Sequence, residues 1–359
     1  MFVFEPKFSI TQEILKDVGT VEAAKEVIER AILVPKFEAQ FRKEALVRTV
    51  HFGTKLEGND LSLTQAERVV AGEPFDSAQG KRDRDIQEII NYRNVMEYLD
   101  RLKEKFQESY TEAQLRKIHR LTTERILLEH EAGEYRQIQV VVRNLQTQEI
   151  SFRPPPAVEV PYQIEDWLSW LNSVIGKKVH PILRAGITHY ELARIHPFVD
   201  GNGRTARAMA LLVLFLEGYE VKKFFALEEY YDRNAKNYYA ALQSVEQMGG
   251  DETSWLEFFV KGLAEELLRI KNRVVELAAL SQLPQSDGTQ VALSERQIQI
   301  LEAIRAHGGQ ITTKEARQVV KMVSKDTVIR DLNDLIDKGV VKKEGSTKAS
   351  RYRLAEAKA

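Results

Sequence analysis

One stretch of twelve residues, HPFVDGNGRTAR from His196 to Arg207, concentrates side chains that could do chemistry. It lies between two segments with helical periodicity. Gly201 and Gly203 permit tight backbone turns, so main-chain N–H groups at the start of the second helix can converge on an anion. Arg204 and Arg207 lie three residues apart on one face of that helix and add forked donors for phosphate oxygens. The stretch therefore predicts a polyphosphate site.

Further residues of the same stretch complete this chemistry. Asp200 offers the hard carboxylate oxygen that Mg²⁺ prefers, and Asn202 can donate to a phosphate oxygen. A neutral His196 can accept a proton from a hydroxyl that attacks the bound phosphate in line. Pro197 and Phe198 would hold the histidine still. A histidine or a GNG sequence alone is most often structural, but the combination indicates phosphoryl or nucleotidyl transfer.

The overall composition sets few limits on this reaction. The chain has 359 residues, enough for two or three domains, and its 52 basic and 53 acidic residues give no global field for nucleic acid or membrane. The absence of cysteine excludes disulfides, thiolate nucleophiles and cysteine zinc sites. No signal peptide pattern begins the sequence, and the longest apolar run, from Ala208 to Leu216, is shorter than the ~20 residues of a membrane span. We expect a cytoplasmic protein without membrane association.

Helical periodicity dominates the elements that must position the site, so the predicted fold class is mainly α. It extends from Thr11 to Leu102, resumes from Thr111 to Leu128, and returns after residue 156 up to residue 280. Between residues 137 and 153, IQVVV and ISF flank the polar segment RNLQTQE and predict a β-hairpin. Pro154 ends its second strand, because proline cannot donate to a strand ladder.

The C-terminal part has a different pattern. Residues 281–290, SQLPQSDGTQ, lack periodicity and predict a linker. Residues 291–359 predict three short helices and then two strands around a turn at Gly345 and Ser346, the order of a winged helix-turn-helix. This part carries 14 Lys or Arg against 9 Asp or Glu, so its field is basic.

The third of these helices could read DNA or dock a protein. Ser324 would cap it, and Lys325, Thr327 and Arg330 would face a groove. Basic residues would line the wing and its strands: Lys342, Lys343, Lys348, Arg351 and Arg353. Three aspartates on the same helix oppose contact with phosphates: Asp326, Asp331 and Asp334. Both kinds of partner stay open.

The sequence HPFVDGNGR fits the signature HPFx[DE]GN[GK]R of the Fic family, and the chain is identified as resembling its adenylylating members. The resemblance implies a helical N-terminal region (residues 1–110) and a Fic-type helical core (residues 111–280) whose hairpin is a flap for the target segment. It implies Mg²⁺-dependent transfer of AMP from ATP to a Ser, Thr or Tyr hydroxyl of an unknown target protein or of the chain itself. His196 would be the base and Asp200 the magnesium ligand. The triphosphate loop would comprise Gly201, Asn202, Gly203, Arg204, Thr205, Ala206 and Arg207.

Other branches of the family carry out other reactions. Kinases of the Doc toxin branch have lysine where this chain has Gly203, and a further branch transfers phosphocholine, so Gly203 favours AMP transfer. Tyr239, in NYYAALQ, occupies the place where Fic proteins commonly put a tyrosine beside the adenine, although a core role suits it equally. A homodimer is expected because many relatives form one.

A second motif near the N-terminus, FGTKLEGND, resembles the inhibitory sequence [ST]xxxE[GN] of self-restrained Fic proteins. Gly53 stands where that motif has Ser or Thr, and Thr54 follows it. The resemblance implies that Glu57 pairs with Arg207 and misaligns ATP. The same glutamate could instead orient water to remove AMP from a target. A DNA-binding regulator that uses the Fic core as a sensor or modifier is the other alternative.

Overall fold

The computed structural model describes residues 4–73, 81–103, 109–143, 150–281, 293–307, 309–320, 323–345 and 350–355. Helices dominate these residues, which confirms the predicted mainly α class. The chain divides into two compact units, Met1–Val275 and Glu276–Ala359. The predicted N-terminal region and the predicted core up to Val275 lie in the first unit, and the predicted boundary between them stays a prediction. None of the helices within the described ranges is long and apolar enough to cross a membrane.

The first unit is built from α-helices that surround one buried helix. In chain order they are α1 (Gln12–Arg30), α2 (Pro35–Lys55), α3 (Leu63–Val70), α4 (Lys81–Lys103), α5 (Glu112–Thr122), α6 (Val160–Asn172), α7 (Val174–Lys178), α8 (Pro181–Ile195), α9 (Asn202–Leu216), α10 (Leu227–Arg233), α11 (Ala235–Gln247) and α12 (Thr253–Ser281), the last of which continues into the second unit. Helix α9 is buried on every side from Arg204 to Phe215, as expected for a helix that is apolar all round. The predicted phosphate loop leads directly into this buried helix.

Helix α5 ends at Thr122, so the predicted continuation to Leu128 is wrong. Asn91 of α4 causes this end, because its Nδ2 donates to the carbonyl oxygens of Thr122 (3.1 Å) and Glu124 (2.7 Å). These bonds satisfy carbonyls that a terminating helix leaves without partners. The following turns carry the chain back toward α8 and α9.

The predicted hairpin forms an antiparallel pair, β1 (Val142–Arg143) and β2 (Ile150–Phe152). Val142 pairs with Phe152 and Arg143 pairs with Ile150. The first strand is shorter than the predicted IQVVV segment, and most of the predicted turn lies outside the described residues. The pair lies in the first unit, ahead of the short 3-10 helix Ala157–Glu159.

The second unit contains the predicted helices and hairpin strands, and one strand that the sequence did not predict. Its elements are α13 (Glu295–Ala306), β3 (Gln310–Thr312), α14 (Thr313–Val319), α15 (Lys325–Asp337), β4 (Val341–Glu344) and β5 (Arg351–Leu354). The strands form an antiparallel sheet in the order β3-β5-β4. Ile304, Leu332 and Val341 belong to a core shared by the helices and the sheet. This order of elements is the one that the winged-helix prediction requires, and that assignment stays a prediction.

Candidate active site

The loop between α8 and α9 has left-handed backbone conformations at both ends. His196 ends α8 with φ 51° and ψ 58°, and its N–H donates to the carbonyl oxygen of Leu192 at 3.1 Å. This conformation is uncommon for a residue with a side chain and persists only where the surrounding structure holds it. Gly201 begins α9 with φ 75°, and a Cβ atom there would crowd Thr123. The backbone therefore requires glycine at this end of the loop.

An aromatic and imidazole stack fixes the middle of the loop. The fully buried ring of Phe198 lies parallel to His119, with 3.7 Å between ring centroids. Nδ1 of His119 accepts from the N–H of Gly133 at 2.8 Å, so the ring hydrogen is on Nε2, which donates to the carbonyl oxygen of Asp200 at 2.9 Å. Burial lowers the pKa of His119 to about 4. The ring is therefore a neutral part of the scaffold.

The side chain of Asn202 closes the loop on itself. Its Oδ1 accepts from the N–H of Phe198 at 2.8 Å, and its Nδ2 donates to the carbonyl oxygen of Phe198 at 2.9 Å. This bond uses one of the two hydrogens of Nδ2, so the predicted donation from this amide to a phosphate stays a prediction. The main-chain N–H of Asn202 is a further donor, because it lies in the first turn of α9, where N–H groups lack intrahelical partners.

Arg136 connects the loop to the segment around the hairpin. Its Nε donates to the carbonyl oxygen of His196 at 2.8 Å, and its Nη2 donates to that of Pro155 at 2.5 Å. Its main-chain N–H donates to the carbonyl oxygen of Pro197 at 2.9 Å. Sequence reasoning missed this buried arginine, because nothing in the motif points to a residue 60 positions away.

The environment of His196 keeps its imidazole neutral. Burial lowers the pKa of His196, against the opposing effects of the Ala193 carbonyl oxygen and the charge of Glu57. Nδ1 lies 3.3 Å from that carbonyl oxygen, which can only accept, so Nδ1 carries the hydrogen. Nε2 then has a free lone pair, as a general base requires.

The predicted pair of Glu57 and Arg207 is present. Nη2 of Arg207 donates to Oε1 of Glu57 at 2.8 Å and to the carbonyl oxygen of Gly53 at 2.8 Å. Arg207 is buried, whereas 29% of the Glu57 side chain is exposed, so this carboxylate closes the outer side of the arginine. A Cβ atom at position 53 would clash with the ring of Tyr92, which explains the glycine at the first position of the motif.

Thr54 does not replace the missing hydroxyl of the inhibitory motif. Its Oγ1 donates back into α2, to the carbonyl oxygens of Val50 (3.0 Å) and His51 (3.1 Å). Its own carbonyl oxygen accepts from the N–H of Glu57 at 2.9 Å. Main-chain bonds therefore set the turn that aims Glu57.

A second arginine of the loop lies in a separate network of charges. Arg204 is 1% exposed, with Nη1 at 3.3 Å from Oε1 of Glu88 and Nη2 at 3.7 Å from Oδ1 of Asp200. Nη2 of Arg84 donates to Oδ2 of Asp200 at 2.7 Å. Burial raises the pKa of Asp200, but Arg204, the Gly201 N–H and Arg84 outweigh it and lower the pKa overall. Asp200 is therefore ionised at neutral pH. Sequence reasoning missed both residues of α4, which no motif marks.

The surroundings of Asp200 fit a magnesium ion held mainly by its substrate. The Asp200 side chain is 36% exposed and ionised, and it could offer Oδ2 as a ligand if Arg84 left that oxygen. Within the described ranges, no group of three or more His, Cys, Asp or Glu side chains could hold a metal. Mg²⁺ at such a site takes one carboxylate, phosphate oxygens and water.

The remaining predicted residues lie around the same loop. Thr205 and Ala206 are buried on the inner side of α9, and the N–H of Thr205 donates to the carbonyl oxygen of Gly201 at 3.0 Å. Tyr239 is 44% exposed, and its hydroxyl donates to the carbonyl oxygen of Leu56 at 3.2 Å, next to Glu57. Tyr239 thus lies beside the segment that carries Glu57, and its contact with adenine stays a prediction.

Known proteins resemble this chain in sequence and in fold. The sequence profile of the Fic/DOC family matches residues 109–214, which include α5, the hairpin, α8 and nearly all of α9. The chain contains a Fic/DOC domain. Among solved structures, a Fic family protein from Desulfovibrio desulfuricans G20 has the same fold, with a TM-score of 0.66 and 24% identity over 99% of this chain and 100% of that one. A Fic domain containing signaling protein from Bacteroides thetaiotaomicron aligns with a TM-score of 0.61 and 22% identity over 73% of this chain and 97% of that one.

Curated proteins that are similar to this chain in sequence are named protein adenylyltransferase Fic. The protein adenylyltransferase Fic of Nematostella vectensis is 30% identical over 196 residues, which are 53% of this chain and 43% of that protein. The protein of the same name from Aedes aegypti is 31% identical over 181 residues, which are 49% of this chain and 34% of that protein. This chain therefore matches less than half the length of these relatives.

Proposed function

We propose that this protein transfers AMP from Mg²⁺-bound ATP to a Ser, Thr or Tyr hydroxyl, on a target protein or on itself, and that Glu57 restrains the reaction. The observation that carries the proposal is the single loop that holds a neutral histidine, an ionised Asp200 and two buried arginines at the start of α9. The name of the curated relatives, protein adenylyltransferase, supports it.

The proposed chemistry assigns a separate role to each group of the loop. The target hydroxyl attacks the α-phosphorus of ATP, its proton passes to Nε2 of His196, and the bond to the β-phosphate oxygen breaks so that pyrophosphate leaves. Arg204, Arg207 and the first N–H groups of α9 would hold the phosphates. Asp200 would hold Mg²⁺, which neutralises developing charge on the phosphates when bound.

The proposed restraint follows from the position of Glu57. Its carboxylate already occupies Nη2 of Arg207, the donor expected for the outermost phosphate. An arginine shared in this way would let ATP bind with its α-phosphate displaced from the line of attack. A displacement of ~1 Å can cost on the order of 10²-fold in rate. Removal of AMP from a modified target, with Glu57 orienting water, is the alternative use of this carboxylate.

Following α-³²P and γ-³²P labels from ATP onto the purified full chain identifies the reaction. We expect label from the α position alone, stronger in Glu57→Gly and absent from Glu57→Gly with His196→Ala. Label from the γ position would indicate a kinase instead. With no label from either position, release of AMP from a previously labelled protein would indicate the reverse reaction.

We also propose that the second unit contacts DNA. The aspartates on α15 opposed such a contact, and the structure removes part of this objection. Asp331 is buried and pairs with Arg296 at 2.7 Å, and Asp334 contacts Gln297 and Lys338. Asp331 therefore faces its own unit, whereas Asp334 is 45% exposed and has part of its charge balanced by Lys338. Exposed basic side chains stay on α15 and β4: Lys325, Arg330, Lys342 and Lys343. Lys348, also predicted for the wing, lies outside the described residues.

Binding of the full chain to duplex DNA at several salt concentrations tests this contact. We expect the dependence of log K on log salt to become shallower by about 1 in Arg330→Ala and in Lys342→Ala, because each variant neutralises one phosphate fewer. Lys16→Ala, an exposed lysine of α1, is the matched control. Absence of binding at low salt would leave a protein partner for this unit. The predicted homodimer is tested in the same preparation by light scattering, and the predicted cytoplasmic location by fractionation of cells.

A further inference from the structure

The carboxylate proposed to bind Mg²⁺ already has a cationic partner from outside the loop. Nη2 of Arg84, on α4, donates to Oδ2 of Asp200 at 2.7 Å. The other acceptor, Oδ1, takes the N–H of Gly201 at 2.5 Å. Both oxygens of Asp200 therefore have donors, and a metal ion at Oδ2 would have to take the place of Arg84, because cation and guanidinium cannot share that side of the carboxylate.

A buried anchor holds Arg84 in this position. Nε of Arg84 donates to Oε1 of Glu88 at 3.2 Å, and Glu88 is buried. The second oxygen of Glu88 accepts from Nδ2 of Asn59 at 3.1 Å, and Asn59 follows Glu57 by two residues. The guanidinium is thus aimed by the segment that also carries the proposed restraint, while 51% of its own side chain stays exposed.

We propose that Arg84 is a second restraint on this site, which competes with the divalent cation of the nucleotide for Asp200. The inference rests on the proposed function. Glu57 restrains the triphosphate, and Arg84 adds a restraint on the metal. Arg84 acts through Asp200 and is a positioning residue, without contact with the reacting atoms. Since the pair is partly exposed, its removal changes metal-dependent binding by about fivefold, the size expected of such ion pairs.

Nucleotide binding without transfer tests this competition. The probe is α,β-methylene ATP, titrated calorimetrically into the full chain that carries Glu57→Gly, with and without Mg²⁺. We expect Arg84→Gln to tighten binding about fivefold with Mg²⁺ and to leave the affinity without Mg²⁺ unchanged. Arg84→Lys, which keeps the charge but cannot span Glu88 and Asp200 with one fork, should tighten it less. Arg101→Gln removes a charge from an exposed position of the same helix and controls for net charge.

Further outcomes separate this inference from the proposed function. Arg84→Gln should have no effect once Asp200→Asn is present, because the competition is then abolished. Weaker binding of the probe by Arg84→Gln without Mg²⁺ would overturn the inference, since Arg84 would then be a phosphate ligand. An unchanged affinity with Mg²⁺ would overturn it as well. If Asp200→Asn leaves the Mg²⁺ dependence of binding intact, both this inference and the metal site of the proposed function are wrong. If Asp200→Asn abolishes the Mg²⁺ dependence but Arg84→Gln has no effect, only this inference is wrong.

Discussion

Glu57 lies directly against Gly203, so that a Cβ atom at position 203 would overlap Oε1 of the glutamate. The glycine thus has a steric role beside its predicted role in the phosphate loop. The carboxylate of Glu57 and the loop fit together because position 203 has no side chain. A larger residue at position 203 and Glu57 in its present place exclude each other.

Gly203→Ala should therefore destabilise the protein, and only while Glu57 is present. We expect a loss of about 0.2–1 kcal/mol in the free energy of unfolding, because the flexible and 29% exposed Glu57 side chain can shift at the cost of its ion pair with Arg207. In a Glu57→Gly background the loss should nearly vanish, and the two substitutions should show a matching coupling energy in denaturant unfolding. Gly19→Ala on α1, where a Cβ meets open space, is the control and should be neutral or stabilising. An equal loss in both backgrounds would contradict the contact.

Asn202→Ala should weaken the loop, because the side chain of Asn202 closes it. It removes both bonds to Phe198 and leaves a buried N–H and carbonyl oxygen unpaired, at about 1–3 kcal/mol for each group. Chemical denaturation measures this loss. Asn202→Asp keeps the acceptor and should lose less than Asn202→Ala. A folded Asn202→Ala protein as stable as its parent would show that the loop has other supports.

The rate of self-labelling should depend on pH through His196. Protonated His196 cannot accept a proton, and burial lowers its pKa below the ordinary value of 6.5. In Glu57→Gly protein the rate should therefore be level at pH 7 and above and fall only as the pH drops through this lowered pKa. Because the charge of Glu57 raises the pKa of His196, its removal shifts the falling limb further toward acid. A rate that still rises tenfold per pH unit above pH 7 would contradict a neutral base.

The residues of the predicted site could be found from sequence because they are neighbours in it. Spacing alone placed Asp200 before the glycines and two arginines on one face of a helix. Arg84, Glu88 and Arg136 could not be found in this way, since they reach the loop from other elements and only the packing brings them there.

Element ends and short strands were predicted less well, for related reasons. The end of α5 depends on Asn91, which is 31 residues from the first carbonyl that it satisfies. Strand β3 has only three residues, too few for an alternating pattern to mark it. The end of the long helix α12 was predicted well, since it lies at Ser281, one residue beyond the predicted end of the helical periodicity.

The central claim, that Glu57 restrains AMP transfer through Arg207, is tested most directly by self-labelling from α-³²P ATP in four proteins. These are the wild type, Glu57→Gly, Arg207→Ala and the double variant, each at saturating Mg²⁺ and ATP. We expect Glu57→Gly to raise the rate by about 10-fold to 10²-fold, and Arg207→Ala to lower it with or without Glu57. A rate that Glu57→Gly leaves unchanged in folded protein, or raises equally without Arg207, would contradict the account.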